Sequence, residues 1–325
     1  MHFFKTVVMR IMMLRLWLIP FVLVLAVGFF SVFGMIKSQT EHQPYENDFE
    51  EALLLPEEPH LPCRAEQVMK ALVEAYPRRV LKAEFRNNDW AVLLRDTWFY
   101  YAEGRLLPEE LLHRVSEYRS IAFYYQRELP VWTDPAPEQI NRFRELANAR
   151  SAGEFRRPHY FFDALYRAST HNETYERVKT IRFLGKPVTV HYSIMEELSL
   201  VEERILLASR SSSRVKAWID DINTLAGWHW RNIADIQTRS FHSYGAAVDI
   251  LPRSLGNRAV YWLWAGPDWW NIPYSRRYHP PDAVIEAFEA YGFVWGGKWL
   301  FFDTIHFEYR PEVIILSGIE LSTLR

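Results

Sequence analysis

The chain has 325 residues, with 38 Lys and Arg against 40 Asp and Glu, a formal net charge of -2, and 49% hydrophobic residues. That balance fits a globular protein with a core, as one large or two modest domains, and lacks the basic excess on which nucleic-acid binding rests. The one cysteine, Cys63, excludes an internal disulfide and any zinc site built from several thiolates, so a metal would have to be held by imidazole and carboxylate.

Lys5, Arg10 and Arg15 precede an apolar run from Leu16 to Ile36 that contains no charged residue. A bilayer span takes about 20 residues and a cleaved signal core about 7–15, so 1–37 reads as a membrane anchor. Small residues at Val32 and Gly34 leave cleavage, and secretion, as the alternative. The cations before the run, with only Lys37 just after it, put the N-terminus in the cytoplasm and the remainder outside, in the periplasm or cell envelope. Residues 38–60 are acidic and proline-containing, and read as a stalk.

After Pro62, the spacing of Val68, Leu72 and Ala75 predicts a helix closed by Pro77. Trp90–Leu94 and Trp98–Ala102, joined by Arg95, Asp96 and Thr97, read as a hairpin. Helices are expected at 108–126 and 136–150, the second entered through Asp134 and Pro135. The region 61–165 is thus predicted to be mostly helical, an accessory scaffold or substrate wall without a chemical motif of its own. In 166–325, Ile181–Leu184 and Val188–His191 flank Gly185, Lys186 and Pro187 as a second hairpin. A helix follows with Ile194, Leu198, Val201 and Ile205 on one face, then a strand at Ala246–Leu251, a helix at 282–291 and a strand at Thr304–Tyr309. Strands and helices without βαβ alternation indicate an α+β domain, expected as a central antiparallel sheet flanked by helices.

Two segments carry chemistry. Ser240, His242, Gly245, Ala247 and Asp249 have the form S-x-H-x-x-G-x-A-x-D, with Gly245 and Ala247 small enough to let the backbone pass close to a metal and its substrate. About sixty residues on, Trp295, Gly296, Gly297, Lys298 and Trp299 lead to Asp303 and His306, followed by Glu308. A catalytic zinc keeps three protein ligands and an open position for water, and that water needs a carboxylate to take its proton. His242, Asp249 and His306 supply the ligands, which leaves Asp303 as acid/base. Ser240 reads as a hydrogen-bonding group of the site or a turn former, and Trp299 as part of the substrate surface. His229 and His279 read as pocket or loop residues. The aromatic run Tyr261, Trp262, Trp264, Trp269 and Trp270 suits a substrate groove and a packed core equally.

Over roughly 178–312 these motifs resemble the LAS-type zinc metallopeptidases, in the branch of D-alanyl-D-alanine carboxypeptidases, D-Ala-D-Ala dipeptidases and L-alanyl-D-glutamate endopeptidases. The resemblance implies Zn2+ on His242, Asp249 and His306, Asp303 as general base, and peptidoglycan stem peptides as substrate. It implies a D-alanyl-D-alanine carboxypeptidase first and an L-Ala-D-Glu endopeptidase as the alternative. The family arginine that contacts a substrate carboxylate or the oxyanion falls on Arg231, in a stretch beginning at Trp230, with Arg239 as a second candidate. Lys298 departs from the pattern, since many relatives carry an acid or small polar residue there. A zinc-bearing module that only binds cell wall, as in the hedgehog relatives of this fold, is the competing reading; the retained Asp303 argues against it.

Overall fold

A computed structural model describes residues 61–322 apart from 130, 153–155, 235 and 237. The expected membrane segment at 1–37 and stalk at 38–60 lie outside the described residues. Among the described residues no helix is long and apolar enough to cross a membrane.

Helix α1 (Leu61–Ala75) buries Val68 and Leu72 of the predicted face together with Met69, while Ala75 is half-buried at its end. It is followed by a four-stranded antiparallel meander of β1 (Val80–Arg86), β2 (Asp89–Leu94), β3 (Thr97–Tyr100) and β4 (Leu107–Pro108). The hairpin read at 90–102 is β2–β3. Strand β1 is an addition: Asn87 and Asn88, both at positive φ (49° and 65°), make the tight turn that pairs it with β2.

The helix expected at 108–126 is a 3-10 segment at Glu109–Glu117 only. Beyond it Ile121, Phe123 and Tyr125 are buried in alternation, a period of two that holds the backbone extended instead of helical. The region 61–165 is therefore mixed sheet and helix, not mostly helical. Its later helices are α2 (Pro137–Ser151), as expected, and α3 (Tyr160–Tyr166), which runs one residue beyond it.

Next come α4 (His171–Tyr175) and the hairpin β5 (Val178–Phe183) with β6 (Lys186–His191), turned by Leu184 and Gly185. Then follow α5 (Met195–Ser209), α6 (Ser213–Asp221), β7 (Ile222–Ala226), α7 (Phe241–Tyr244), β8 (Ala247–Pro252), α8 (Asp282–Ala290), β9 (Phe293–Trp295), β10 (His306–Tyr309) and α9 (Pro311–Leu316). The central sheet has the order β7-β8-β10-β9, antiparallel throughout, with α8 packed on β9 and on α5. The mixed α+β architecture matches the expectation.

One hydrophobic core runs through both halves: Leu72 of α1 and Phe161 of α3 belong to the same cluster as Val248, Phe288 and Phe307 around the central sheet. Helix α9 packs on α1, and the Tyr76 hydroxyl donates to Glu312 at 2.7 Å. The accessory region is thereby built into the same body as the motif-bearing half.

Candidate metal centre

The antiparallel register pairs His306 on β10 directly with Asp249 on β8. Residues opposed in this way present their side chains to one face, so the sheet itself brings an imidazole and a carboxylate together. His242 comes from α7, a single turn started by Ser240, whose hydroxyl accepts the His242 backbone N–H at 3.3 Å. The turn ends at Gly245, at φ 68°. A Cβ there would lie 2.8 Å from the His191 nitrogen and 2.9 Å from Val178. Gly245 is thus required by its left-handed backbone and by contact with the β5–β6 hairpin, not by closeness to a metal as the motif suggested.

Three atoms converge. Asp249 Oδ1 lies 3.0 Å from His242 Nε2 and 2.8 Å from His306 Nδ1, and the two nitrogens are 3.2 Å apart. Each ring is held from behind. The far nitrogen of His242, Nδ1, donates to the Gly227 carbonyl at 2.7 Å, and that of His306, Nε2, donates to Glu308 at 3.2 Å. Neutral rings with their protons directed outward would turn two lone pairs and a carboxylate oxygen to one point, an arrangement favourable only around a cation; without one, the inner nitrogen of His306 carries a proton that it donates to Asp249. Burial alone would lower the His306 pKa, yet the hydrogen bonds and charges of Asp249 and Glu308 push it up to about 10. Burial would raise Asp249, but the two imidazoles hold it well below the carboxylate range. The cluster thus draws positive charge to the point where its ligand atoms meet, and His242, Asp249 and His306 can hold a metal ion.

Glu308 in turn lies 3.6 Å from the buried Arg310. Such outer partners are typically worth about 10–100-fold in metal affinity. Glu308→Gln is therefore expected to weaken metal binding by that order with the fold intact, as read by chelator competition; an unchanged affinity would remove Glu308 from the site.

Asp303 stands beside the cluster without joining it. Its backbone N–H donates to the Gly296 carbonyl at 3.0 Å and its carbonyl accepts from the His306 N–H at 3.3 Å. A Cβ on Gly296 would sit 2.5 Å from the Asp303 carbonyl oxygen, so only glycine lets that turn approach. The Asp303 Oδ1 atom is buried and has no hydrogen-bond partner among the described residues. Burial raises the carboxyl to about 6, with His306 pulling it down and Asp249 pushing it up.

These groups line a cavity of about 490 Å³, a size suited to a substrate-like ligand. Arg231 lines it too and is exposed; among the described residues its guanidinium makes one long hydrogen bond, to the Asn232 carbonyl at 3.4 Å. Its backbone is fixed by Ser243, whose hydroxyl accepts from Arg231 N at 2.9 Å. Arg239 is instead fastened to Asp163 at 2.5 Å and to the Ala168 carbonyl at 2.9 Å, over the Trp230 ring. Trp299 lines the cavity with its ring 5.4 Å from that of His306. Lys298 is buried and paired with Glu289 at 2.6 Å. His229 is exposed and outside the cluster, and the His279 ring packs against Trp295.

The aromatic run divides between both of its readings. Trp262, Trp269 and Trp270 pack with Phe143 and Phe301 in a second core, while Tyr261, Trp262 and the 76% exposed Trp264 line the cavity. One wall comes from the accessory region, through Ile121, Tyr124, Tyr125 and Gln126.

Residues 234–309 match the family profile described as D-alanyl-D-alanine carboxypeptidase. That stretch holds His242, Asp249, Asp303 and His306, and supports the zinc peptidase superfamily and a peptidase activity; Arg231 precedes it. Residues 68–123 match a domain of unknown function. No curated protein and no solved structure gives a significant match.

Proposed function

We propose that the chain is a zinc-dependent peptidase of peptidoglycan stem peptides, acting as a D-alanyl-D-alanine carboxypeptidase. The observation that carries this reading is the convergence of His242, Asp249 and His306 on one point, with the buried Asp303 carboxyl beside them, its Oδ1 without a hydrogen-bond partner among the described residues. Zinc held there supplies a Lewis acid and lowers the pKa of water to about 7.

The protein's own part is proton handling and positioning. Asp303 accepts the proton of the attacking water and passes it to the leaving amine. Its displaced pKa, about 6, suits both halves of that exchange near neutral pH. Arg231 takes the terminal carboxylate of the substrate, or the oxyanion as it develops. Ser240 holds the turn that presents His242, and Trp299 flanks the peptide beside His306. We further propose that the work is done outside the cytoplasm, with residues 1–37 as the membrane tether, on the strength of their charge pattern.

Digestion of purified muropeptides, followed by mass analysis, tests the reading. Loss of a single terminal D-alanine is the expected product. Cleavage between L-Ala and D-Glu would make the protein an endopeptidase instead. Binding to cell wall with no cleavage at all would replace the enzyme with a binding module.

A further inference from the structure

Among the described residues lining the cavity, two side-chain oxygens are buried without a hydrogen-bond partner, Asp303 Oδ1 and Gln126 Oε1. The first has a role in the reaction proposed above; the second has none. Gln126 is only 9% exposed. Buried carboxamides are ordinarily paired, because an unpaired one forfeits its hydration for nothing. Nor is Gln126 there by looseness of the chain, since both neighbours are clamped. The Tyr125 hydroxyl donates to Glu289 and accepts the Trp295 N–H at 3.0 Å. The Arg127 carbonyl accepts from Lys298 Nζ at 2.7 Å, and the same ammonium holds Glu289 at 2.6 Å. Lys298, which departs from the family pattern, thus reaches behind the Gly296–Gly297 turn to grip the chain on one side of Gln126 while Tyr125 grips the other.

We propose that Gln126 is a substrate-binding residue, its Oε1 accepting a main-chain N–H of the stem peptide away from the scissile bond. This deepens the peptidase reading and rests on it. The accessory region then supplies specificity for an extended peptide: a carboxamide held rigidly in a cavity recognises a peptide amide with little ordering left to do on binding. The contact is made equally in ground and transition states, so it acts on KM and not on kcat.

The test compares zinc-loaded wild type with Gln126→Met, similar in length but unable to hydrogen-bond as an amide, on a synthetic stem pentapeptide. KM is expected to rise about 5- to 10-fold with kcat within about twofold, as for loss of one neutral hydrogen bond. The melting temperature should hold or rise, because an unpaired buried oxygen has been removed. A second series replaces single amide N–H groups of the substrate with ester oxygens. One position should weaken binding to wild type and leave Gln126→Met indifferent. An unchanged KM, or ester effects equal in both proteins, overturns the inference alone. Wild type inert on every stem peptide overturns the peptidase reading and this inference with it.

Discussion

Asp303→Asn is expected to lower turnover of a stem-peptide substrate by about 10²–10⁴-fold, the usual worth of a general acid–base group, while metal content stays at the wild-type level. The substitution keeps the size of the side chain and removes the proton acceptor. The three convergent ligand atoms belong to His242, Asp249 and His306, and Asp303 is not one of them. Stability should not suffer either. A carboxyl raised to about 6 by burial binds its proton more tightly folded than unfolded. Its contribution to stability is full below the unfolded pKa and is lost as pH rises through about 6. At neutral pH the ionised Asp303 is therefore a burden on the metal-free fold that asparagine does not carry, and after chelation the variant should melt at or above the wild-type temperature.

The same carboxyl gives the reaction its acid limb. Base catalysis needs Asp303 ionised, so activity should fall as pH drops through about 6 or, with a dication alongside to favour the ionised form, somewhat lower. Metal content measured at each pH separates this limb from loss of the ion. Asp303→Asn that retained full turnover would end its role as base, and Asp303→Asn that came away metal-free would make it a ligand.

The site was more legible in the sequence than the fold around it, for physical reasons that differ residue by residue. His242, Asp249 and His306 sit on short elements: a one-turn helix runs straight into β8, and β8 pairs with β10. For His242 and Asp249 spacing along the chain therefore translates almost directly into spacing in the site, whereas His306, 57 residues beyond Asp249, is delivered by the β8–β10 register and was legible only through its own motif. Glu308 was visible in the same segment, two residues beyond His306, where alternation along a strand puts both side chains on one face. Gln126 and Asp163 gave no such signal. Each lies far along the chain from the residues it serves, and only the shared core delivers it. Arg239 shows the same limit from the other side: next to Ser240 it looked able to serve the substrate, but Asp163, from the accessory region, engages it. The misread stretch after Pro108 follows from a period of two in Ile121, Phe123 and Tyr125 set among polar and small residues that also suit a helix.

Removing a ligand should have an effect of a different kind, on binding and stability together. In the wild type the outer nitrogens of His242 and His306 are committed to Gly227 and Glu308, which leaves their inner nitrogens facing Asp249 Oδ1. The arrangement exists only in the folded chain, so metal binding adds to folding free energy. At a free zinc concentration 1,000 times the dissociation constant the gain is about 4 kcal/mol, a shift of several degrees in melting temperature. Wild type is accordingly expected to carry one zinc per chain, to melt higher with zinc than after chelation, and to lose all turnover with the chelator. His242→Ala should bind no zinc at that concentration, show no zinc-dependent shift and be inactive. Without zinc it should melt close to the stripped wild type, since the lost ring leaves Asp249 still paired with His306 at 2.8 Å. Elemental analysis and calorimetry with and without zinc read all of these at once. A wild type that stays metal-free when zinc is supplied, and melts at the same temperature throughout, would remove the metal centre and the proposed chemistry with it.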